Sequence, residues 1–297
     1  MIPTERAALR YRSVETWPTR DIVDAMLEAQ IAAVSAALGT AEAMTGAVDA
    51  AARRLEAGGR LIYLGAGTSG RLGAIDAAEL PPTFDWPAVR ALNLMAGGQG
   101  AFVTAVEGAE DNGAAAIAAL QESQLGAQDV VIGLAASGRT PYVVDGLRHA
   151  REVGALTVAV GNAPNGAIGA VAEYYLVADT GPEIVAGSTR MKAGTAQKAI
   201  LTCFSTAIFV RMGYVYRGRM VEMRPTNEKL QGRAVAMVAE LADVSLEEAD
   251  AALAQASGSI KTAVVMLIRK LTTAEAKACL ERANGRLHLV LQEAPGP

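Results

Sequence analysis

The chain has 297 residues, of which 51% are hydrophobic and 20% charged, and it carries a net charge of −4. That composition builds a sizeable core and excludes a disordered chain. The acidic balance argues against nucleic acid or an anionic membrane surface as a partner, while leaving room for one local phosphate site.

No N-terminal run has the basic, apolar and small-residue order of a signal peptide. The longest apolar stretch, 199–210 between Lys198 and Arg211, falls short of the about 20 residues that span a bilayer. A cytoplasmic protein is the expectation. Cys203 and Cys279 have no CxxC partner, and His149 and His288 are too few for a histidine metal site. No metal or cofactor is expected.

Residues 21–57 read as helical: Ala, Leu, Met and Glu dominate, proline is absent, and Gly58-Gly59 stops the run. A repeating pattern of short apolar strand, Gly/Ser/Thr loop and helix follows. Strands are expected at 60–64, 91–95, 130–134, 155–160 and 174–177, and helices near 70–78, 113–121, 141–153 and 193–212. Strands separated by helices imply right-handed crossovers and a parallel sheet. Apolar runs without alternation, such as Val-Val-Ile-Gly-Leu, suit strands covered on both faces. Beyond about Leu230 short helices are expected and no strand. Ser245-x-x-Glu248 and Thr272-x-x-Glu275 there read as capping boxes. The division expected is a helical segment over 1–45, an α/β domain over 46–230 and a small helical domain over 231–297.

Two loops carry the candidate chemistry. Gly65-Ala66-Gly67-Thr68-Ser69-Gly70 stands between a strand and a helix and satisfies GxGxxG. A dinucleotide site would want an acid at the end of the next strand, yet that strand ends Met95-Ala96-Gly97-Gly98. Glycines admit an anion close to the backbone, the helix start offers free amides, and Thr68 and Ser69 add hydroxyl donors. Gly67, Thr68, Ser69 and Gly70 thus suit a phosphate monoester better than a pyrophosphate. The second loop, Ser137-Gly138-Arg139-Thr140-Pro141, repeats the chemistry, with Thr140 capping a helix that opens on proline. Two such loops in one parallel sheet point to a sugar phosphate at its carboxyl edge.

Acids stand nearby. Glu79 lies between alanines and Leu80-Pro81-Pro82, an odd place for a solvated charge. Glu107 and Glu110, in Val106-Glu107-Gly108-Ala109-Glu110-Asp111, share a face if helical; an acidic helix start is the competing reading. Two carboxylates beside a sugar could divide acid and base work. In Gly187–Lys198, Ser188, Arg190 and Lys192 either reach the ligand or only begin a long helix. Glu183 either touches the sugar, the preferred reading, or caps a helix. Thr226-Asn227-Glu228-Lys229 is read as closing the fold or a subunit contact.

The run Leu61-Ile62-Tyr63-Leu64-Gly65-Ala66-Gly67-Thr68-Ser69-Gly70-Arg71-Leu72-Gly73 resembles the phosphate loop of the sugar-isomerase (SIS) fold. With 106–111, 135–142, 187–198 (GSTRMKAGTAQK) and 225–230 (PTNEKL), the chain resembles, more narrowly, the N-acetylmuramic acid 6-phosphate etherase family. The resemblance implies a SIS-type α/β sandwich with a ubiquitin-associated-like helical tail, homodimerisation, and cleavage of a lactyl ether by elimination and water re-addition. It implies Glu79 as the acid that protonates departing lactate and Glu110 as the base at carbon 2. The competing classes are a sugar-phosphate sensor and an aldose–ketose isomerase. The first 25 residues depart from the family pattern: Thr4-Glu5 fits, and Trp17-Pro18 does not.

Overall fold

The computed structural model describes residues 3–104, 106–223, 225 and 227–292. The helical run expected over 21–57 is two helices, α1 (Thr19–Leu38) and α2 (Ala41–Glu56), bent by 60° at Gly39-Thr40. Glycine is a weak helix former, and Thr40 Oγ donates to the Ala37 carbonyl at 2.7 Å, diverting a backbone acceptor at the joint.

The parallel sheet comprises β1 (Leu61–Gly65), β2 (Ala91–Met95), β3 (Val130–Ala135), β4 (Leu156–Gly161) and β5 (Tyr174–Val177), in the order β2-β1-β3-β4-β5. Between them run α3 (Gly67–Phe84), α4 (Gly113–Glu122), α5 (Pro141–Val153) and α6 (Ala167–Val171), and α7 (Lys192–Arg211) follows β5. Strands and helices match the expected set to within a few residues, except that α3 is longer and α6 was not expected. Every residue of β1, β3 and β4 is buried, as central parallel strands require. Ile62, Leu64 and Val131 form one core with Ala116 and Leu120 of α4 and Val143 and Leu147 of α5. Tyr63 points the other way, its hydroxyl donating to Asp76 of α3 at 2.7 Å. The order in which strands are added to the sheet reverses between β1 and β3, so a crevice opens beyond the carboxyl ends of these two strands.

Helix α3 overruns its expected end at residue 78 by six residues and contains Pro81 and Pro82. Helix α7 is the one helix among the described residues that is long and apolar enough, by length and composition, to cross a membrane; 56% of that window is buried inside the protein. The apolar stretch read as too short from its flanking charges is thus part of a longer helix.

The chain forms two compact units. One holds the chain up to Ala78 together with Ala88–Thr206; the other holds Glu79–Pro87 and the chain from Ala207 onward. By this grouping α1 and α2 belong to the first unit, and the second takes in the last turns of α3 and α7. Aromatic packing accounts for the early boundary. Phe84 stacks on Phe209 at 4.3 Å, and Trp86 and Tyr214 meet Phe209 edge-on.

The second unit also contains an antiparallel pair absent from the sequence reading, β6 (Val215–Tyr216) and β7 (Arg219–Met220). Arg217 and Gly218 between them both have positive φ, as a tight hairpin turn demands. Five helices follow: α8 (Glu228–Ala242), α9 (Leu246–Gln255), α10 (Ile260–Arg269), α11 (Thr273–Arg282) and α12 (Leu287–Gln292). The capping boxes Ser245–Glu248 and Thr272–Glu275 open α9 and α11. Asn227 caps α8 through the Leu230 amide, while Thr226 lies outside the described residues.

Candidate active site

The first loop is held by an unusually close backbone approach. A Cβ on Gly65 would stand 2.9 Å from the Gly70 nitrogen, and one on Gly70 would stand 2.8 Å from the Gly65 oxygen. The Gly70 amide donates to Ala66 at 3.1 Å and closes the first turn of α3. The amides of Gly67, Thr68 and Ser69 precede it at the positive end of the helix and lack intrahelical acceptors. Gly67 is exposed, Thr68 half-buried, and Ser69 buried with its hydroxyl donating to Gln197 Oε1 at 2.8 Å. Gln197 is on α7, which packs on this turn: a Cβ on Gly194 would lie 3.6 Å from Thr68 Cγ2.

Beside this turn is a cavity of about 330 Å³ lined by Ala66, Gly67, Arg71, Met95, Glu107 and Glu110, among others. The acidic segment is not a helix start that puts both acids on one face. Gly108 adopts the left-handed conformation, a short 3₁₀ turn spans Ala109–Asp111, and Asn112 caps α4 through the Ala115 amide. A neutral side chain therefore does the capping, and the carboxylates of Glu107 and Glu110 remain exposed at the cavity wall. Arg71 donates to the carbonyls of Phe102 at 2.8 Å and Ala101 at 2.9 Å, fixing the loop that closes this side. It also places a permanent positive charge in a cavity that carries two carboxylates.

The second loop flanks the crevice from β3. Because Gly65 is in register with Leu134, the two loops leave neighbouring strands at the same edge. Gly138 has φ +69°, and a Cβ there would meet Gly166 Cα at 2.6 Å. Ser137, half-buried, accepts from the Arg139 amide at 3.2 Å; Arg139 is exposed. Thr140 occupies the N-cap position of α5 ahead of Pro141, but its hydroxyl makes no capping bond. The expectation of a capping threonine is corrected: proline at the first helical position removes one amide that would need a cap.

The remaining candidates separate from this cavity. Glu183 is fully buried, and its two oxygens accept from the Lys192 amide at 3.0 Å and the Ala193 amide at 2.9 Å. The capping role, one of the two expected for it, is realised: Glu183 caps α7 from a distant loop. Lys192 is also buried, its ammonium donating to the Thr180 carbonyl at 2.6 Å. Burial pushes its pKa down against the upward pull of Glu183 and Asp179. In this arrangement it braces the 179–183 loop. Ser188 is half-buried in the turn before α7, its amide bonded to Val185 at 2.9 Å, and Arg190 is exposed. Glu79 is exposed on α3 and belongs to the second unit. Sequence reasoning missed Arg71 and Gln197. Arg71 directly follows the loop glycine, which was signal enough; Gln197 is a lone amide on a buried helix face and was lost in a motif read for its charges.

Among the described residues no three His, Cys, Asp or Glu side chains stand together so as to hold a metal ion. Cys203 and Cys279 are free thiols.

The five-stranded parallel sheet with flanking helices is that of a domain of the sugar-isomerase type. Residues 43–151 match the glucokinase regulatory protein N-terminal SIS domain. The fold is also that of the c3406 protein of E. coli CFT073, at TM-score 0.50 and 12% identity, covering 68% of this chain and 97% of that one. The chain belongs to the N-acetylmuramic acid 6-phosphate etherase family. It is 46% identical to the etherase of Deinococcus radiodurans over 98% of this chain and 95% of that protein. It is 44% identical to that of Lactobacillus acidophilus over 94% of each.

Proposed function

We propose that this chain cleaves the D-lactyl ether of N-acetylmuramic acid 6-phosphate, giving N-acetylglucosamine 6-phosphate and D-lactate in the cytoplasmic recycling of cell-wall sugar. The observation that carries the reading is the cavity in which the first loop meets Glu107 and Glu110. An alkyl ether resists direct hydrolysis, but in the open-chain sugar the ether oxygen is β to the aldehyde. Glu110 removes the proton from carbon 2, the electrons form the carbon 2–carbon 3 double bond, and the lactyl oxygen leaves with a proton from an acid. Water then adds at carbon 3 and a proton returns to carbon 2. Acid, base and phosphate anchor suffice, and no electron changes hands.

The amides of residues 67–69 and the hydroxyls of Thr68 and Ser69 bind the phosphate, with Ser137, Gly138, Arg139 and Thr140 facing it across the switch point. Glu107 accepts from sugar hydroxyls. The acid role of Glu79 rests on the family resemblance, and so does the homodimer. The exposed stripe Val23, Leu27, Ile31, Val34 and Leu38 along α1 is consistent with a self-contact.

The experiment is turnover in isotopic water. Deuterium is expected at carbon 2 of the glucosamine product and labelled oxygen at carbon 3, with lactate keeping the ether oxygen. Label in lactate would show attack on the lactyl carbon and defeat the elimination. The SIS-domain match also admits a sugar-phosphate sensor, which would release no lactate at all. An isomerase would exchange the carbon 2 proton without releasing lactate.

A further inference from the structure

Gln197 lies mid-helix in α7, wholly buried, and the elimination makes no use of it. Its Oε1 accepts the Ser69 hydroxyl at 2.8 Å, while its Nε2, also buried, has no hydrogen-bond partner. Buried amide nitrogens left unmatched are uncommon, and this one belongs to the side chain that grips the candidate phosphate hydroxyl.

The arrangement poses a proton problem. A serine hydroxyl has one hydrogen to give. Donated to Gln197, it leaves Ser69 only lone pairs to offer, and a phosphate dianion has no use for lone pairs. Turning the amide through half a rotation exchanges its ends. Nε2 then donates to Ser69 Oγ, Oε1 takes the place Nε2 held, and the hydroxyl hydrogen swings free toward the anion.

We infer that Gln197 is the positioning residue of the phosphate loop: its buried amide, turned so that Nε2 donates to Ser69 Oγ, leaves the hydroxyl hydrogen for the phosphate. The inference rests on the assignment of Ser69 to the phosphate. Helix α7 is placed for the task, since Gly194 and Gln197, three residues apart, both face the first turn of α3.

The test is a double-mutant cycle read by calorimetric binding of N-acetylglucosamine 6-phosphate, with thermal unfolding run on every variant. Ser69→Ala and Gln197→Met are each expected to weaken binding about tenfold or more, the scale of a hydrogen bond to a charged group. The double variant is expected to bind no more weakly than Ser69→Ala alone. Gln197→Glu keeps the shape but buries a carboxyl, so its thermal unfolding is read alongside; where it folds, its charged form is expected to weaken binding further. Relative to the natural chain it should recover on acidification, as the introduced carboxyl gains a proton it can donate. A full repeat of the Gln197→Met loss in the Ser69→Ala background would overturn the inference and leave the phosphate loop standing. So would a Gln197→Glu profile parallel to that of the natural chain, or normal binding by Gln197→Met. Normal binding by Ser69→Ala would instead remove the loop assignment itself, and the inference with it.

Discussion

The two ends of the β1–β3 strand pair use polar chemistry in opposite ways. At the amino end Arg60 and Asp129 spend nearly all their capacity inside the fold. Arg60 donates to Asp129 at 2.6 and 3.1 Å and to the carbonyls of Ser123 and Gln124 at 2.8 and 3.0 Å. Asp129 also takes the amides of Arg60 and Gly126, each at 2.9 Å. At the carboxyl end, helix-start amides, the Thr140 hydroxyl and two exposed carboxylates stand with capacity in hand. Polar groups that have found their partners hold strands; polar groups kept waiting bind ligands. Substitutions at one end should therefore alter chemistry, and at the other stability.

The largest effect should come from the carboxylates. Glu110→Gln is expected to lower both lactate release and carbon 2 proton exchange by about a hundredfold to ten-thousandfold. Glu79→Gln should cut lactate release while some exchange survives. Stopped-time lactate assays in heavy water, with the product read by NMR, distinguish them; normal lactate release by Glu79→Gln would remove it as the acid. Reversed behaviour would swap the two roles and keep the elimination.

Next come the two serines. Ser69→Ala and Ser137→Ala should each raise KM about tenfold. They should differ in stability. Loss of the Ser69 hydroxyl strands the buried Gln197 amide and should cost about 1–3 kcal/mol in urea unfolding, whereas the Ser137 hydroxyl accepts an amide of its own turn. Equal destabilisation would blur the contrast between a loop tied to α7 and one tied to itself.

At the amino end, Asp129→Asn should cost about 1–3 kcal/mol of stability and leave kcat and KM alone. Burial by itself would raise the Asp129 pKa, but the Arg60 side chain, the Gly126 and Arg60 amides and the Arg60 charge hold it below the usual carboxylate range. Its contribution is therefore complete above the unfolded carboxylate pKa and is lost as pH falls through the lower folded value. Acid unfolding of Asp129→Asn should consequently be flatter below about pH 4. The smallest effect should be that of chelation, which is expected to leave turnover unchanged. Loss restored by a divalent ion would contradict a mechanism built on carboxylates.

Much of the first unit was legible because its strands are unbroken apolar runs and its loops carry unusual glycines and hydroxyls. What escaped depended on partners far away in sequence. Glu183 looks like any loop acid until the amides of Lys192 and Ala193 close on it. Gln197 gains meaning only from Ser69, 128 positions earlier. The helix expected near 70–78 continues through Pro81 and Pro82 to Phe84. The unit boundary at Ala207 follows packing among Phe84, Trp86 and Phe209, which no shift in composition announces.

The facing glycines of the first loop carry a consequence for heredity. A side chain on Gly65 collides with the backbone of Gly70, and one on Gly70 collides with the backbone of Gly65. No second substitution at the partner position relieves either clash, because glycine is already the smallest residue there. Compensatory drift, by which most packed pairs exchange bulk over generations, is closed to this one. A lineage that keeps this loop keeps both positions and the five-residue step between them, and can explore new substrates only through the side chains at 66–69 and beyond.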